Sequence, residues 1–289
     1  MSRRFSDVDV AVVAPEYPEP AGNLRCALRL AHFGVLVFTV APLACLLGLA
    51  SDYAMSRDPG VSSTVTQALL RFRVRFLRWC CRWATLVCGI RVDFEGSLKR
   101  ARQGLILANH ISYLDVVAIG SIFPCGFVAK REIASWPLIG AIARGLGCVF
   151  LDRNDLGSRV RTLQDLRKLL VACDMCVFPE GTTTASRSPC GTKWRTGQTW
   201  SALAAARGVL AVAVSYSDHA RAVWTDDAAF LPHLIALLKR GPIAVRIDAT
   251  KMPMTARESA SLPPHARVLS RAAHAAVTDL CAEPQPLLR

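Results

Sequence analysis

The segment 109–115, with the sequence NHISYLD, contains a histidine and an aspartate whose spacing suits general-base chemistry. A histidine side chain titrates close to physiological pH, so a neutral imidazole can take a proton from a reacting group. Asp115 follows His110 in this segment, and its carboxylate can accept a hydrogen bond from one ring nitrogen while the other nitrogen stays free. Matches of this kind also arise by chance, so the surrounding sequence has to decide whether the pair is functional.

Two other segments place polar residues at the ends of short apolar runs. In FPEGT at 178–182, the proline ends a strand and the glycine lets the backbone approach a ligand closely. The threonine hydroxyl and the free backbone amides can then hold an anion, while Glu180 can brace the loop or a neighbouring base. In GCVFLDR at 147–153, Arg153 follows a strand and can grip a phosphate through two parallel hydrogen bonds.

These residues need elements that bring them together, and the chain after residue 90 predicts such elements. Short apolar segments alternate with amphipathic ones, which predicts an α/β fold: a mixed, mostly parallel sheet flanked by helices. Ligands in such folds bind at the carboxyl ends of the strands, where His110, Lys130, Arg153 and the loop 179–182 would all lie. The predicted strands are 91–95, 105–108, 126–129, 148–152, 175–178, 210–215 and 243–248. The predicted helices are 115–122, 135–144, 156–171, 197–207, 230–239 and 266–280.

The N-terminal third of the chain predicts a membrane-binding element. Residues 1–24 are rich in proline and predict a mobile tail. Residues 30–50 contain no Asp, Glu, Lys or Arg and are long enough to cross a bilayer, although His32 and Pro42 interrupt the apolar pattern. Basic residues flank both sides, so they indicate no orientation. A single span, a membrane-inserted hairpin and a buried helix of a soluble core are all compatible with this pattern.

The segment 67–90 predicts a helix that carries a basic stripe beside an aromatic one. Such a helix suits the lipid headgroup boundary, where guanidinium groups bind phosphates and aromatic rings reach the acyl interface. The alternative is an ordinary core-facing helix with a solvated basic side. The stripes consist of Arg71, Arg75, Arg78 and Arg82, and of Phe72, Phe76, Trp79 and Trp83.

The composition supports a lipid surface as the partner. The 289 residues carry a formal net charge of +13 and are 52% hydrophobic, with a mean hydropathy of +0.30. Positive charge indicates an anionic partner, and the hydropathy favours lipid over nucleic acid, for which no binding signature is present. The eleven cysteines are scattered through apolar runs, which is typical of a reducing compartment, and Cys173-Asp-Met-Cys176 lacks further metal-ligand spacing.

Taken together, three motifs in this order resemble those of the glycerolipid acyltransferase family. They are NHISYLD at 109–115, GCVFLDR at 147–153 and FPEGT at 178–182, and the segments 127–130 and 136–140 also resemble the family pattern. The resemblance covers about residues 86–250. The best-known members are 1-acylglycerol-3-phosphate acyltransferases, and lyso-ornithine-lipid O-acyltransferases are close relatives.

The resemblance implies a function and a role for each motif residue. His110 would be the base and Asp115 its partner, and Arg153 would bind the acceptor's phosphate or an equivalent headgroup. The acceptor site would further be shaped by Glu180, Gly181 and Thr182, with Lys130 as an additional headgroup contact. The reaction would be acyl transfer to a hydroxyl without metal or other cofactor. A covalent route through a serine is disfavoured, because no Gly-x-Ser-x-Gly motif occurs and Ser112 suits a helix cap or turn.

The resemblance also implies the substrates and the location. The donor would be acyl-ACP or acyl-CoA, and the acceptor a lysophospholipid, first of all 1-acyl-sn-glycerol-3-phosphate, which would give phosphatidic acid. The alternatives are a lyso-ornithine-lipid O-acyltransferase and a non-catalytic lipid-surface protein. We expect a membrane protein of the bacterial inner membrane, divided into a tail (1–24), a membrane-associated helical segment (25–90) and a cytoplasmic α/β acyltransferase domain (91–289).

The sequence departs from the family pattern at two places. The family often has Arg-Ser soon after FPEGT, whereas residues 183–186 intervene here before Arg187-Ser188. The headgroup specificity can change with that loop. The last inner strand usually carries a proline where this chain has Ala213. We expect this second change to alter loop shape more than chemistry.

Overall fold

A computed structural model describes most of the chain, namely residues 19–96, 104–152, 155–186, 194, 208–225, 228–252 and 264–282. Arg153, residues 1–18 of the expected tail and the helix expected at 197–207 lie outside the described residues. The first helix begins at Glu19, so residues 19–24, which were expected to belong to the tail, are helical.

A seven-stranded sheet forms the centre of the protein. Its strand order is β1-β7-β6-β2-β5-β3-β4, and all neighbours are parallel except β6 and β7, which are antiparallel. The predicted mixed, mostly parallel sheet is therefore confirmed, and every predicted strand is present. The strands are β1 (Ile90–Gly96), β2 (Leu105–Ala108), β3 (Cys125–Lys130), β4 (Val149–Leu151), β5 (Asp174–Val177), β6 (Val209–Tyr216) and β7 (Ile243–Lys251).

Helices cover both faces of the sheet. The helix predicted at 135–144 is instead divided into a short 3₁₀ helix, Arg131–Ser135, and a separate α-helix. Pro137 and Leu138, which has a φ of 60°, lie between the two and interrupt the helical backbone. The described α-helices are α1 (Glu19–Arg57), α2 (Thr64–Cys88), α3 (Leu114–Ile122), α4 (Ile139–Gly145), α5 (Leu156–Ala172), α6 (His219–Ala222), α7 (Phe230–Lys239) and α8 (Pro264–Ala282).

Alternate residues of the central strands β2, β5 and β6 belong to two hydrophobic cores, one on each face of the sheet. In β6, for example, Val212, Val214 and Tyr216 join the core beneath α3 and α7, whereas Ala211 and Ala213 join the core beneath α5 and α8. The first core also includes buried residues of α1 and α2. The hydrophobic core therefore crosses the expected division at residue 90.

Helix α1 is a single 39-residue helix that lies along the domain. At about 1.5 Å per residue it is roughly 58 Å long, and it continues through the exposed Pro42. Near its start, Arg29 Nη1 donates to Leu238 O and Arg240 O, both at 3.1 Å. Further on, Gly48 packs so closely on Gly145 that an added Cβ would lie 2.9 Å from the Cα of Gly145. Both ends of the apolar stretch thus contact the same domain.

By length and composition, α1 is also the one helix among the described residues that is able to cross a membrane. The most apolar 18-residue window of its segment 22–57 has a mean hydropathy of 2.3, and only 28% of that window is buried. Exposed large apolar side chains therefore line much of its outer surface.

The arginines of the basic stripe on helix α2 do not all face the surface. Arg71 Nε donates to Ala172 O at the end of α5, and Arg78 Nε donates to Ser121 O near the end of α3. Half of the arginines that were expected to face lipid phosphates therefore bind helix C-termini within the fold. The aromatic stripe does reach the surface, since Phe72 is 53% and Trp79 48% exposed.

Candidate active site

The carboxyl end of β2 places His110 at the edge of the sheet. The four residues of β2 are buried, and the strand is followed by Asn109, which is also buried. Asn109 Nδ2 donates to Val214 O at 2.9 Å, and Val214 N donates to Asn109 Oδ1 at 2.8 Å. This double hydrogen bond fixes the end of β2 against β6, because both backbone groups of Val214 are bound by one side chain.

His110 and Asp115 are in direct contact. The distance from His110 Nδ1 to Asp115 Oδ2 is 2.8 Å, and the Asp115 side chain is fully buried. A carboxylate only accepts hydrogen bonds, so Nδ1 carries the proton and Nε2 has its lone pair available. No described residue hydrogen-bonds to Nε2, and the imidazole is 16% exposed. The expected pairing is therefore present, and the catalytic roles of the two residues stay predictions.

The start of α3 holds the Asp115 carboxylate. Ile111 N and Ser112 N donate to Asp115 Oδ2 at 2.7 and 2.9 Å, and Tyr216 OH donates to Oδ1 at 2.5 Å. Asp115 lies in the first turn of α3, where the helix dipole also favours a negative charge. The Ser112 Oγ is buried without a hydrogen-bond partner among the described residues, so Ser112 does not cap α3 through its side chain. The carbonyl of Ser112 accepts from Asp115 N at 3.1 Å, so Ser112 is the turn residue that the sequence allowed as the other possibility.

The loop after β5 holds the backbone and the ring of His110. Glu180 Oε2 accepts from His110 N at 2.9 Å, and Thr184 N donates to His110 O at 2.9 Å. The imidazole stacks on Phe178 with a centroid distance of 4.0 Å and an interplanar angle of 14°. Gly181, at a φ of 75°, closes the turn by donating to Phe178 O. Glu180 therefore positions His110 directly.

Two of the other predicted site residues, Lys130 and Thr182, lie at the same edge of the sheet. Lys130 is the last residue of β3, two strands from β2, which corresponds to about 10 Å. Strand β4 ends at Leu151, one strand further out, and Arg153 lies outside the described residues. Thr182 follows the Gly181 turn and is half-buried.

An aromatic group flanks the pair on the α3 side. Tyr113 OH and His233 Nδ1 are 3.0 Å apart, and the ring of Tyr113 contacts those of Trp224 and Phe230. Burial lowers the pKa of His233 from its usual value. Trp224 N also donates to Ile111 O at 3.2 Å, which ties this group to the backbone next to His110.

Sequence reasoning did not find Phe178, Thr184 and Tyr216 as contacts of the pair. Phe178 and Thr184 lie within or beside the FPEGT motif, so the motif itself was a signal for them. Tyr216 lies 101 residues from Asp115, and only the pairing of β6 with β2 reveals it. In the part of the chain that the structure describes, no group of three or more His, Cys, Asp and Glu residues is placed to hold a metal ion.

Comparison with known proteins provides independent information on this arrangement. The sequence model described as Acyltransferase matches residues 89–217, which include His110, Asp115 and Glu180. A lyso-ornithine lipid O-acyltransferase from Pseudomonas aeruginosa is 32% identical over 234 residues, which is 78% of this chain and 84% of that protein. The chain belongs to the acyltransferase family.

Within the acyltransferase family, the relatives carry two acceptor names. A lyso-ornithine lipid O-acyltransferase from Rhizobium meliloti is 32% identical over 59% of this chain, which spans 65% of that relative. A 1-acyl-sn-glycerol-3-phosphate acyltransferase from Neisseria gonorrhoeae is 35% identical over 39% of this chain and 44% of that protein. The solved structure of the 1-acyl-sn-glycerophosphate acyltransferase from Thermotoga maritima has the same fold, with a TM-score of 0.51 and 18% identity over 92% of this chain and 100% of that chain.

Proposed function

We propose that this protein is an O-acyltransferase that moves a fatty acyl chain from acyl-ACP or acyl-CoA to a hydroxyl group of a lysolipid. The observation that carries the proposal is the buried Asp115 carboxylate on His110 Nδ1, which leaves Nε2 with an available lone pair at the carboxyl end of β2. The non-catalytic alternative has no use for such a pair, because a lipid-binding surface does not need an oriented base.

The reaction proceeds by direct transfer. The acceptor hydroxyl gives its proton to His110 Nε2 while its oxygen attacks the thioester carbonyl, and Asp115 stabilises the imidazolium that forms. When the intermediate collapses, the new C–O ester bond remains and the C–S bond breaks. The leaving thiolate takes the proton from Nε2. Base catalysis of this kind contributes about 10²- to 10⁴-fold, and positioning of the two substrates supplies much of the rest.

Lyso-ornithine lipid is the acceptor that we place first. The relative that the chain spans over 84% of its length carries that name. In addition, Thr183 and Thr184 follow FPEGT directly, and Thr184 is committed to His110 O through its backbone. The two residues that follow Thr182 are thus not basic and do not supply a positive charge for a phosphomonoester. An ornithine headgroup needs this charge less, because it carries both an amine and a carboxylate.

The second acceptor is 1-acyl-sn-glycerol-3-phosphate, with phosphatidic acid as product. The Neisseria gonorrhoeae relative carries this name. Arg153 is the predicted phosphate ligand for this acceptor, with Lys130 as a further contact. No metal or other cofactor is required in either case.

The apolar helix α1 and the family relatives indicate membrane association. We infer further that α1 and α2 rest in one leaflet with the catalytic domain on the cytoplasmic side of a bacterial inner membrane. Contacts of α1 with α7 near Arg29 and with α4 near Gly48 support this arrangement over a helix that spans the bilayer.

Replacement of His110 by alanine tests the proposed function. The purified full chain is incubated with labelled acyl-ACP or acyl-CoA and with a panel of lysolipids that includes both acceptors. We expect transfer by the wild type and a loss of about 10²- to 10⁴-fold for His110→Ala, with an unchanged circular dichroism spectrum. Full activity of folded His110→Ala would contradict the mechanism, and an inactive wild type on every acceptor would favour the non-catalytic alternative.

A further inference from the structure

Tyr216 binds the one oxygen of Asp115 that the histidine and the α3 backbone leave open. Its hydroxyl donates to Asp115 Oδ1 at 2.5 Å, and both side chains are buried. The other oxygen, Oδ2, accepts from His110 Nδ1 and from two backbone N–H groups. Tyr216 is therefore the single described residue that binds Oδ1.

The position of Tyr216 follows from the sheet. It is the last residue of β6, and it points to the same face as Val212 and Val214, where α3 packs. Asn109 fixes the register two residues earlier by binding both backbone groups of Val214. On the other side, Tyr216 pairs with Val245 of β7. The phenol is thus held by two neighbouring strands and aimed at the start of α3.

We propose that Tyr216 is a positioning residue that holds the second oxygen of the Asp115 carboxylate and limits the proton affinity of the His110–Asp115 pair. This inference rests on the proposed function, because the pair matters as a base only if the protein transfers acyl groups. Oδ2 already accepts three hydrogen bonds, so the carboxylate cannot turn freely about its Cβ–Cγ bond. The Tyr216 hydroxyl adds a donor on the second oxygen, which further constrains the plane of the carboxylate and withdraws negative charge from Oδ2.

The phenol is a permanent donor at neutral pH. Burial raises the pKa of Tyr216 well above its ordinary value, and the negative charge of Asp115 raises it further. Among the described residues, three further titratable groups lie next to the Tyr216–Asp115 contact, and the Glu180 carboxylate contacts the backbone N–H of His110. Cys176 of β5 is a buried thiol whose pKa is also raised, first by burial and then by Asp115. His110 is the bound base, and Tyr113 faces Tyr216 and is hydrogen-bonded to His233.

The consequence for the histidine has a definite direction. Without the Tyr216 hydroxyl, more of the negative charge of Asp115 acts on the imidazolium, so His110 binds its proton more tightly. We therefore expect the midpoint of the His110 titration to lie higher in Tyr216→Phe than in the wild type. A residue that only packed would change stability and leave this midpoint where it is.

The test is Tyr216→Phe in the full-length protein in detergent micelles. The six histidines are labelled with ¹⁵N, and the His110 signal is assigned from its loss in His110→Asn. We expect the midpoint to rise by about one pH unit, kcat to fall about tenfold, and the acceptor KM to change by less than about twofold. Tyr113→Phe is the matched control, because it removes a phenol hydroxyl that bonds to His233, and it should leave the midpoint unchanged.

Two further measurements separate positioning from packing. In an Asp115→Asn background, Tyr216→Phe should lower kcat by less than about twofold, because its effect passes through the carboxylate. If Tyr216→Phe does not fold, 3-fluorotyrosine at all four tyrosines strengthens the donated bond without a loss of packing, and the His110 midpoint should fall. It should fall equally in fluorinated Tyr113→Phe.

An unchanged His110 midpoint in folded Tyr216→Phe, or in the fluorinated wild type, would overturn the assignment. So would a full tenfold further loss of kcat in the Asp115→Asn background. Failure of the proposed function has a different signature. In that case the wild type transfers no acyl group to any acceptor, while the midpoint still responds to Tyr216→Phe.

Discussion

At the scale of single residues, His110 is held at Nδ1, at one face of its ring and at its backbone N–H and carbonyl groups. Asp115 binds Nδ1, Phe178 stacks beneath the ring, and the backbone on either side of the ring is bound by the loop after β5. Two elements, α3 and the loop after β5, therefore determine where Nε2 points. If His110 is the base, as proposed, it loses little entropy when the acceptor arrives, since its orientation is already fixed by the fold.

Glu180 provides the sharpest test of this arrangement. Glu180→Ala removes the acceptor of His110 N and leaves that buried N–H unpaired, so we expect kcat to fall about tenfold. Thr184→Ala is the matched control, because the threonine hydroxyl reaches His110 O only at 3.4 Å and its backbone N–H keeps the bond at 2.9 Å. We expect this control to change kcat by less than about threefold, as measured by steady-state kinetics with labelled donor.

The two variants also distinguish positioning from headgroup binding. If Glu180 contacts the acceptor rather than the base, Glu180→Ala will raise the acceptor KM and leave kcat unchanged. Equal losses of kcat in Glu180→Ala and Thr184→Ala would show that the loop as a whole matters and that the bond to His110 N has no special part.

The sequence motifs predicted the acid–base residues of this site but not the residues that contact them from other elements. His110, Asp115 and Glu180 stand out because their residue types and local spacing suit acid–base chemistry. Tyr216 and Thr184 have common residue types, and their roles come from contacts across the sheet and between loops. Such contacts depend on strand order and register, which no local pattern in a single sequence encodes.

At the scale of elements, three arginines of the N-terminal helices bind the carbonyl groups at the ends of other helices. Arg29 binds the end of α7, Arg71 the end of α5 and Arg78 that of α3. A helix ends with unpaired carbonyls and a partial negative charge, so a guanidinium stabilises it in both respects. These arginines therefore fasten α1 and α2 to the α/β domain.

Helix α2 also carries arginines that bind no carbonyl group in the described part of the chain, such as Arg82, so one arginine of each kind can be replaced and the two variants compared. Arg78→Ala should lower the free energy of unfolding by about 1–2 kcal/mol, measured by urea denaturation, because the carbonyl of Ser121 loses its donor. Arg82→Ala should leave stability unchanged, because Arg82 is exposed and its guanidinium has no hydrogen bond or ion pair among the described residues. The affinity of Arg82→Ala for anionic vesicles should instead fall about fivefold relative to the wild type.

Both halves of this result are needed. If Arg82→Ala destabilises the protein as much as Arg78→Ala, the division of the basic stripe into fastening and lipid-facing residues is wrong. If Arg78→Ala weakens vesicle binding without loss of stability, its guanidinium faces lipid and not α3.

At the scale of the whole molecule, the seven strands were predictable because each is a short apolar run between polar or glycine-containing segments. The antiparallel direction of β7 was not, because the segment that joins β6 to β7 contains two helices and can return on either side. The continuity of α1 through Pro42 was also hidden. Proline lowers helix propensity locally, while packing of α1 on α2, α4 and α7 stabilises the whole helix.

Apolar exposure is concentrated on one side of the molecule. Among the described residues, α1 and α2 carry twelve of the exposed large apolar side chains, whereas α5 and α8 on the other face of the sheet carry only Val160 and Val268. The twelve are Leu24, Leu28, Val35, Phe38, Leu43, Leu46, Leu49, Tyr53, Val65, Phe72, Trp79 and Leu86. Many exposed apolar side chains on two neighbouring helices are typical of a membrane contact.

Replacement of single exposed residues on this surface by glutamate connects membrane contact with activity. Phe38→Glu and Trp79→Glu should reduce flotation with phosphatidylglycerol vesicles by about tenfold, because each puts a charge where an apolar side chain enters the interface. Val160→Glu makes the same change on the opposite face and should float like the wild type.

With an acceptor embedded in vesicles, kcat/KM should fall in parallel with flotation for the first two variants. With a short-chain, water-soluble acceptor all three should match the wild type, since His110 and its contacts are untouched. Equal loss of flotation in Val160→Glu would place the membrane contact elsewhere, and a loss of activity on the soluble acceptor would mean that α1 and α2 also shape the site.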